Sequence, residues 1–109
     1  MTLIDKTEQY TAALSTQNLL LVETMYAPGV IYRSGGVGEH RGIPNVMAML
    51  REFFSEYPGF SAETSNYSTI SETCVAFDFT INLNGVLQSG VEHLHFDGDQ
   101  HIILIEVER

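Results

Sequence analysis

The sequence predicts an α+β domain, on three observations. Apolar residues recur at helical spacing through the first half of the chain and at period two through the second. Proline-glycine and asparagine-glycine pairs fall between these periodic segments, where turns belong. The helical patterns come first and the strand patterns afterwards, with one short apolar strand between helices, an order that fits α+β rather than alternating architecture. At 109 residues one core is comfortable and two are not, so a single domain over residues 1–109 is expected.

Residues 4–15 place Ile4, Thr7, Tyr10, Ala13 and Leu14 on one helical face. Asn18 is positioned to cap a second helix from 19 to about 26, which Pro28-Gly29 stops. Val30-Ile31-Tyr32 forms a short strand, followed by the glycine-rich loop "RSGGVGEHRG". A third helix begins near Pro44, where a missing backbone N–H costs nothing, and ends at Pro58-Gly59. Its apolar stripe is Val46, Met47, Leu50, Phe53, Phe54 and Tyr57. Residues 60–70 are polar and weakly alternating, as in a strand with one wet face. Residues 73–83 alternate sharply, with Val75, Phe77, Phe79, Ile81 and Leu83 on one face. Asn84-Gly85 is a hairpin signal, and two further strands, about 86–96 and 101–107, flank the turn Asp97-Gly98-Asp99-Gln100. At least four long antiparallel strands result, covered on one face by the helices. Parity points Phe77, Phe79, Ile81, Leu94, Ile103 and Ile105 toward those helices.

Fourteen acidic residues against five basic ones give a formal charge of −9, which repels phosphate backbones and excludes nucleic acid as a partner. No apolar run approaches the roughly 20 residues that cross a bilayer, so no membrane partner is expected. The segment Met1-Thr2-Leu3-Ile4-Asp5-Lys6 has neither a basic nor an apolar leader region, which predicts a cytoplasmic location. Cys74 is the only cysteine, so internal disulfides and multi-cysteine metal motifs are excluded.

The strand "GVEHLHFD" holds one anomaly: Glu92 shares its face with Leu94 and Phe96, the face directed at the core. A carboxyl beside Phe77, Phe79, Leu94, Phe96 and Ile103 would be desolvated, which raises its pKa and favours the neutral, hydrogen-bond-donating form. The alternative is an acid at the edge of the core that reaches water or pairs with a base. His93 and His95 share the opposite face at a spacing that can chelate a metal, but no third ligand accompanies them, so no metal site is expected. His101 should face inward opposite Phe96, as a rim acid or base titrating near neutrality, or else lie in solvent at the hairpin end. The glycine-rich loop matches neither a Walker loop nor a dinucleotide fingerprint, and no cofactor is expected. Cys74 falls on the outward parity, away from any nucleophilic arrangement.

The succession of two helices, "MYAPGVIY", a loop ending "RG", a helix ending "REFFSEYP" and long strands closing with "GVEHLHFDGDQHIILIEV" resembles the NTF2-like superfamily, in particular its SnoaL-like and ketosteroid-isomerase-like members. The resemblance spans essentially the whole chain. It implies a cystatin-like cone: a curved, mostly antiparallel sheet wrapped around three N-terminal helices, with an apolar pocket at the open end. It implies a homodimer through the outer sheet face, where parity places Val91, Ile102 and Leu104 among polar side chains. In the isomerases an acid stands at the position of Glu92, kept protonated to donate to a developing oxyanion. Tyr10 matches the second donor, and Tyr26 a supporting tyrosine. The isomerases' catalytic aspartate falls on Ser34, which cannot shuttle a proton, and a further pocket tyrosine falls on Leu50.

Glu92 and Tyr10 are therefore the expected catalytic pair. The expected ligand-binding residues are Tyr26, Tyr32, Leu50, Phe54, Phe77 and Phe79, together with Ile81, Leu94, His101 and Ile105. Two functions fit. One is a cofactor-free enzyme, isomerase-, cyclase- or dehydratase-like, acting on an apolar carbonyl-bearing substrate, with ketosteroid isomerisation itself not expected. The other is a non-catalytic dimeric module that binds a small apolar ligand or a protein. A catalyst needs a second titratable group near the ligand, for which the rim offers His101, His40, Glu39 or Arg33.

Overall fold

Local signals set the helix boundaries. In the computed structural model, which describes residues 1–109, Thr2 Oγ1 accepts from Asp5 N at 3.1 Å while the Asp5 carboxylate accepts from Thr2 N at 3.1 Å. This reciprocal cap starts α1 (Leu3–Ser15). Asn18 Oδ1 accepts from Leu21 N and opens α2 (Leu19–Met25), as the sequence indicates. Helix α3 (Ile43–Glu56) has Pro44 in its first turn and follows Gly42, whose φ of 83° suits glycine.

Six strands form one sheet in the order β2-β1-β6-β5-β4-β3. They are β1 (Tyr26–Ser34), β2 (Gly38–Arg41), β3 (Ser61–Ser71), β4 (Cys74–Leu83), β5 (Val86–Phe96) and β6 (Ile102–Glu108). All neighbours are antiparallel except β1 and β6, which run parallel. The fold is the expected α+β cone, and several local expectations change. The first strand is longer than Val30-Ile31-Tyr32, its register slipping between Tyr26 and Ile31 across Pro28-Gly29. The glycine-rich loop contains β2, paired to β1 and fastened where Glu39 accepts from Arg33 Nε at 2.7 Å and Arg41 Nε at 2.8 Å. A glycine-rich stretch has no apolar alternation, so its strand leaves no period-two signal.

The inner sheet face carries Val75, Phe77, Phe79, Ile81 and Leu94, buried against Tyr10, Val22, Val46, Met47 and Leu50 of the helices. Fully burying a side chain such as Leu94 stabilises by about 1.5–3 kcal/mol. A bulge corrects the parity at the last hairpin. Phe96 pairs with Ile102 and His95 with Leu104, leaving Ile103 as the extra residue. Ile103 therefore turns outward, 42% exposed, while Ile102 is fully buried; the reverse was expected for both. Ile105 is inward as expected, but His101 is exposed at the hairpin end and does not face the core. No helix is long and apolar enough to cross a membrane.

Candidate functional site

A cavity open at one end lies between the helices and the inner sheet face. Thirteen of its 17 lining residues are hydrophobic, so a polar group inside has few partners other than a ligand or water. Phe53 and Phe54 of α3 meet Phe60 edge-on, with ring centroids 5.6 and 5.3 Å from it, and Phe77 and Phe79 of β4 face them across the cavity. Space for the Phe79 ring depends on Gly90, its cross-strand partner on β5. A Cβ at Gly90 would lie 2.9 Å from that ring and far too close to the Glu108 carbonyl oxygen.

Glu92 enters this apolar chamber from β5, with 9% of its surface exposed. Burial alone pushes its carboxyl from an ordinary 4.5 up to about 8, with no cation or hydrogen bond acting in the other direction. At neutral pH the acid is mostly protonated and is a hydrogen-bond donor. Three phenols surround it electrostatically. Desolvation raises the pKa values of Tyr10, Tyr26 and Tyr32, and the negative charge of an ionised Glu92 raises each further. The cluster is neutral and rich in donor protons.

Tyr10 makes no direct hydrogen bond to Glu92, although the two are electrostatic neighbours. Its hydroxyl is 2.7 Å from that of Tyr26, the rings tilted at 60°, and neither residue lines the cavity. Tyr32 of β1, an expected ligand-binding residue, is the phenol that lines the cavity. Leu50, Phe54, Phe77, Phe79 and Ile81 stand in the walls as expected. Leu94 and Ile105 lie beneath them in the core and do not line the cavity. His101 is exposed and does not line it, and Ser34 is buried with its Oγ accepting from Gly36 N. Of the other rim candidates, His40 Nε2 is bonded to the Val37 carbonyl, and Arg33 and Glu39 belong to the β1–β2 fastening. The titratable groups that do line the cavity are Tyr32, Glu92 and Arg109.

Sequence reasoning missed several lining residues. Thr11 lies one position beyond Tyr10, and Thr64 shares its strand face with Ala62; the weak polar alternation of β3 was the only signal for Thr64. Arg109 folds over Gly36 at the mouth and donates to Gln88 Oε1.

On the outer face His95 Nε2 sits 2.7 Å from Glu106 Oε1 and 4.0 Å from Cys74 Sγ. One ring nitrogen faces both groups, so the histidine cannot bridge them as a base held by an acid. Burial, then the Glu106 charge, raises the Cys74 thiol pKa, the opposite of nucleophile activation.

Fold and cavity together define a curved-sheet cone with a single inward carboxyl. The chain belongs to the SnoaL-like domain family, whose profile matches residues 7–107. Among solved structures it is similar to a cystatin-fold protein of Novosphingobium aromaticivorans, with a TM-score of 0.89 at 14% identity, covering 100% of this chain and 99% of that one. A candidate polyketide cyclase of Sinorhizobium meliloti gives a TM-score of 0.84 at 15% identity, covering 95% and 94%. A Mycobacterium tuberculosis protein in complex with estradiol-17β-hemisuccinate gives 0.84 at 10% identity, covering 100% and 95%. These likenesses are of fold. No curated protein sequence matches the chain.

Proposed function

We propose that this protein binds a small apolar, carbonyl-bearing ligand and polarises its oxygen with the protonated carboxyl of Glu92 and the hydroxyl of Tyr32. The observation that carries the reading is a buried carboxyl without a protein partner inside an aromatic-walled cavity, where burial favours its neutral form. Such an acid stabilises charge that develops on a carbonyl oxygen more than it stabilises the resting ketone, which is the differential needed for enolisation, cyclisation or dehydration. No second carboxylate or imidazole lines the cavity, so any proton transfer at carbon would use Glu92 itself, donating as the acid and accepting once ionised. The same scarcity of bases supports a second reading, a binding module without turnover. The steroid ester bound by the M. tuberculosis neighbour and the cyclase description of the S. meliloti one make polycyclic ketones the first probes. The active form in this reading is a homodimer joined by outer sheet faces.

Equilibrium dialysis with androst-4-ene-3,17-dione tests the binding step. Wild type and Glu92→Gln, which keeps a donor, should both bind, and Glu92→Leu should lose at least tenfold. Equal binding by Glu92→Leu sinks the proposal.

A further inference from the structure

The cavity has polar side chains in a second place, at the seam of α1 and β3. Thr11 Oγ1 lies 2.8 Å from the Tyr67 hydroxyl, and Tyr67 donates to Thr64 Oγ1 at 2.6 Å. Tyr67 is held in position by stacking on Phe77, ring centroids 5.2 Å apart and planes at 25°. Both threonines line the cavity.

Counting protons shows what this chain of hydroxyls leaves over. Tyr67 has one proton and gives it to Thr64. Its contact with Thr11 is then donated by Thr11, whose single proton is shared between the Tyr67 oxygen at 2.8 Å and the Glu8 carbonyl at 3.1 Å. Thr64 accepts at its oxygen, and its own proton finds no acceptor in the protein. A clasp between helix and strand would be complete with Thr11 and Tyr67 alone. The third hydroxyl presents a spare donor to an otherwise apolar wall.

The register places this donor away from Glu92. Glu92 pairs with Phe77 across β5 and β4, whereas Thr64 pairs with Phe79 across β3 and β4. Two strand spacings and one two-residue step separate them, roughly 12 Å between Cα atoms on a flat sheet and less on a curved one. Phe77 and Phe79 fill the interval.

Resting on the binding reading above, we infer that the ligand is an elongated apolar molecule with an acceptor oxygen at each end, one held by Glu92 and Tyr32 and the other by the Thr64 hydroxyl. This sets a length and a polarity pattern that an apolar pocket alone would not impose.

The test compares two probes by equilibrium dialysis: androst-4-ene-3,17-dione, with an oxygen at each end, and androst-4-en-3-one, which lacks the distal one. Wild type should bind the dione about three- to tenfold more tightly, the worth of one neutral hydrogen bond. Thr64→Val should erase that difference by weakening the dione alone, Thr64→Ser should keep it, and Glu92→Leu should weaken both probes together. Equal affinity of wild type for the two probes overturns the inference and leaves the binding reading intact, whether or not Thr64→Val folds. A difference that survives in Thr64→Val overturns it as well. If neither probe binds, or Glu92→Leu weakens neither, the binding reading fails and the inference with it.

Discussion

Glu92 couples stability to pH in a direction opposite to most carboxylates. Its folded pKa of about 8 lies above the ordinary 4.5, so between these values the native state holds a proton that the unfolded chain has released. The contribution is fully present below about pH 4.5 and is lost as pH rises through about 8, amounting to a few kcal/mol at roughly 1.4 kcal/mol per unit. Denaturant unfolding from pH 5 to pH 9 should show wild type losing stability relative to Glu92→Gln; parallel curves would mean that the carboxyl is hydrated and ionises normally. At pH 7, Glu92→Leu should be as stable as wild type or more so, since it removes a desolvated polar group. The tyrosines divide by role. Tyr32→Phe removes a cavity-facing donor and should weaken ketone binding several-fold, whereas Tyr10→Phe removes the bond to Tyr26 and should cost about 1 kcal/mol of stability with little effect on binding. Glu92 was legible in the sequence because strand parity alone turns it inward. The bond between the Tyr10 and Tyr26 hydroxyls was not, because hydroxyl direction depends on how α1 packs in the tertiary fold, and no local pattern records that.

Elements with strong periodicity form where the sequence places them, whereas those with weak periodicity or a distant partner leave little local signal. The apolar stripe of α3 and the alternation of β4 are properties of single segments, and both elements form nearly where the periodicity places them. Strand β2 is a close hairpin partner of β1 but lies in a glycine-rich stretch without apolar alternation, the parallel pairing of β1 with β6 joins residues far apart in the chain, and the β5–β6 bulge inverts parity with no glycine or proline within it. Gly90 is the clearest case of an element set from a distance. Its missing side chain lets β6 and the Phe79 ring close on β5 beside the cavity. Gly90→Ala must push the Glu108 backbone away, because that neighbour is main chain and cannot rotate aside. A loss of about 1–3 kcal/mol is expected from the overpacking, with weaker ligand binding, because Glu92 is only two residues along the same strand. Unchanged unfolding midpoints for Gly90→Ala would show that β6 can shift freely.

The whole molecule uses only one face of its sheet. Helices and cavity occupy the concave side, and the convex side presents Val91 and Leu104 with the bulged Ile103, among His93, His95 and Glu106. Ile102, expected on that face, is in the core, yet the bulge replaces it there with Ile103, so the surface remains apolar at its centre. An antiparallel sheet can leave one face in water, but its exposed positions are then mostly polar. Two copies packed through this face would bury the aliphatic centre and leave charged residues at the rim, the usual arrangement of a two-fold interface. The charge of −9 on each copy opposes the association, so added salt should strengthen it by screening. Light scattering at micromolar concentration should give twice the 12.1 kDa chain mass, and Leu104→Glu should halve it without lowering the helix content, because the side chain points away from the core. A wild-type mass of 12.1 kDa at physiological salt would show that the convex face stays in water and that each cone binds its ligand alone.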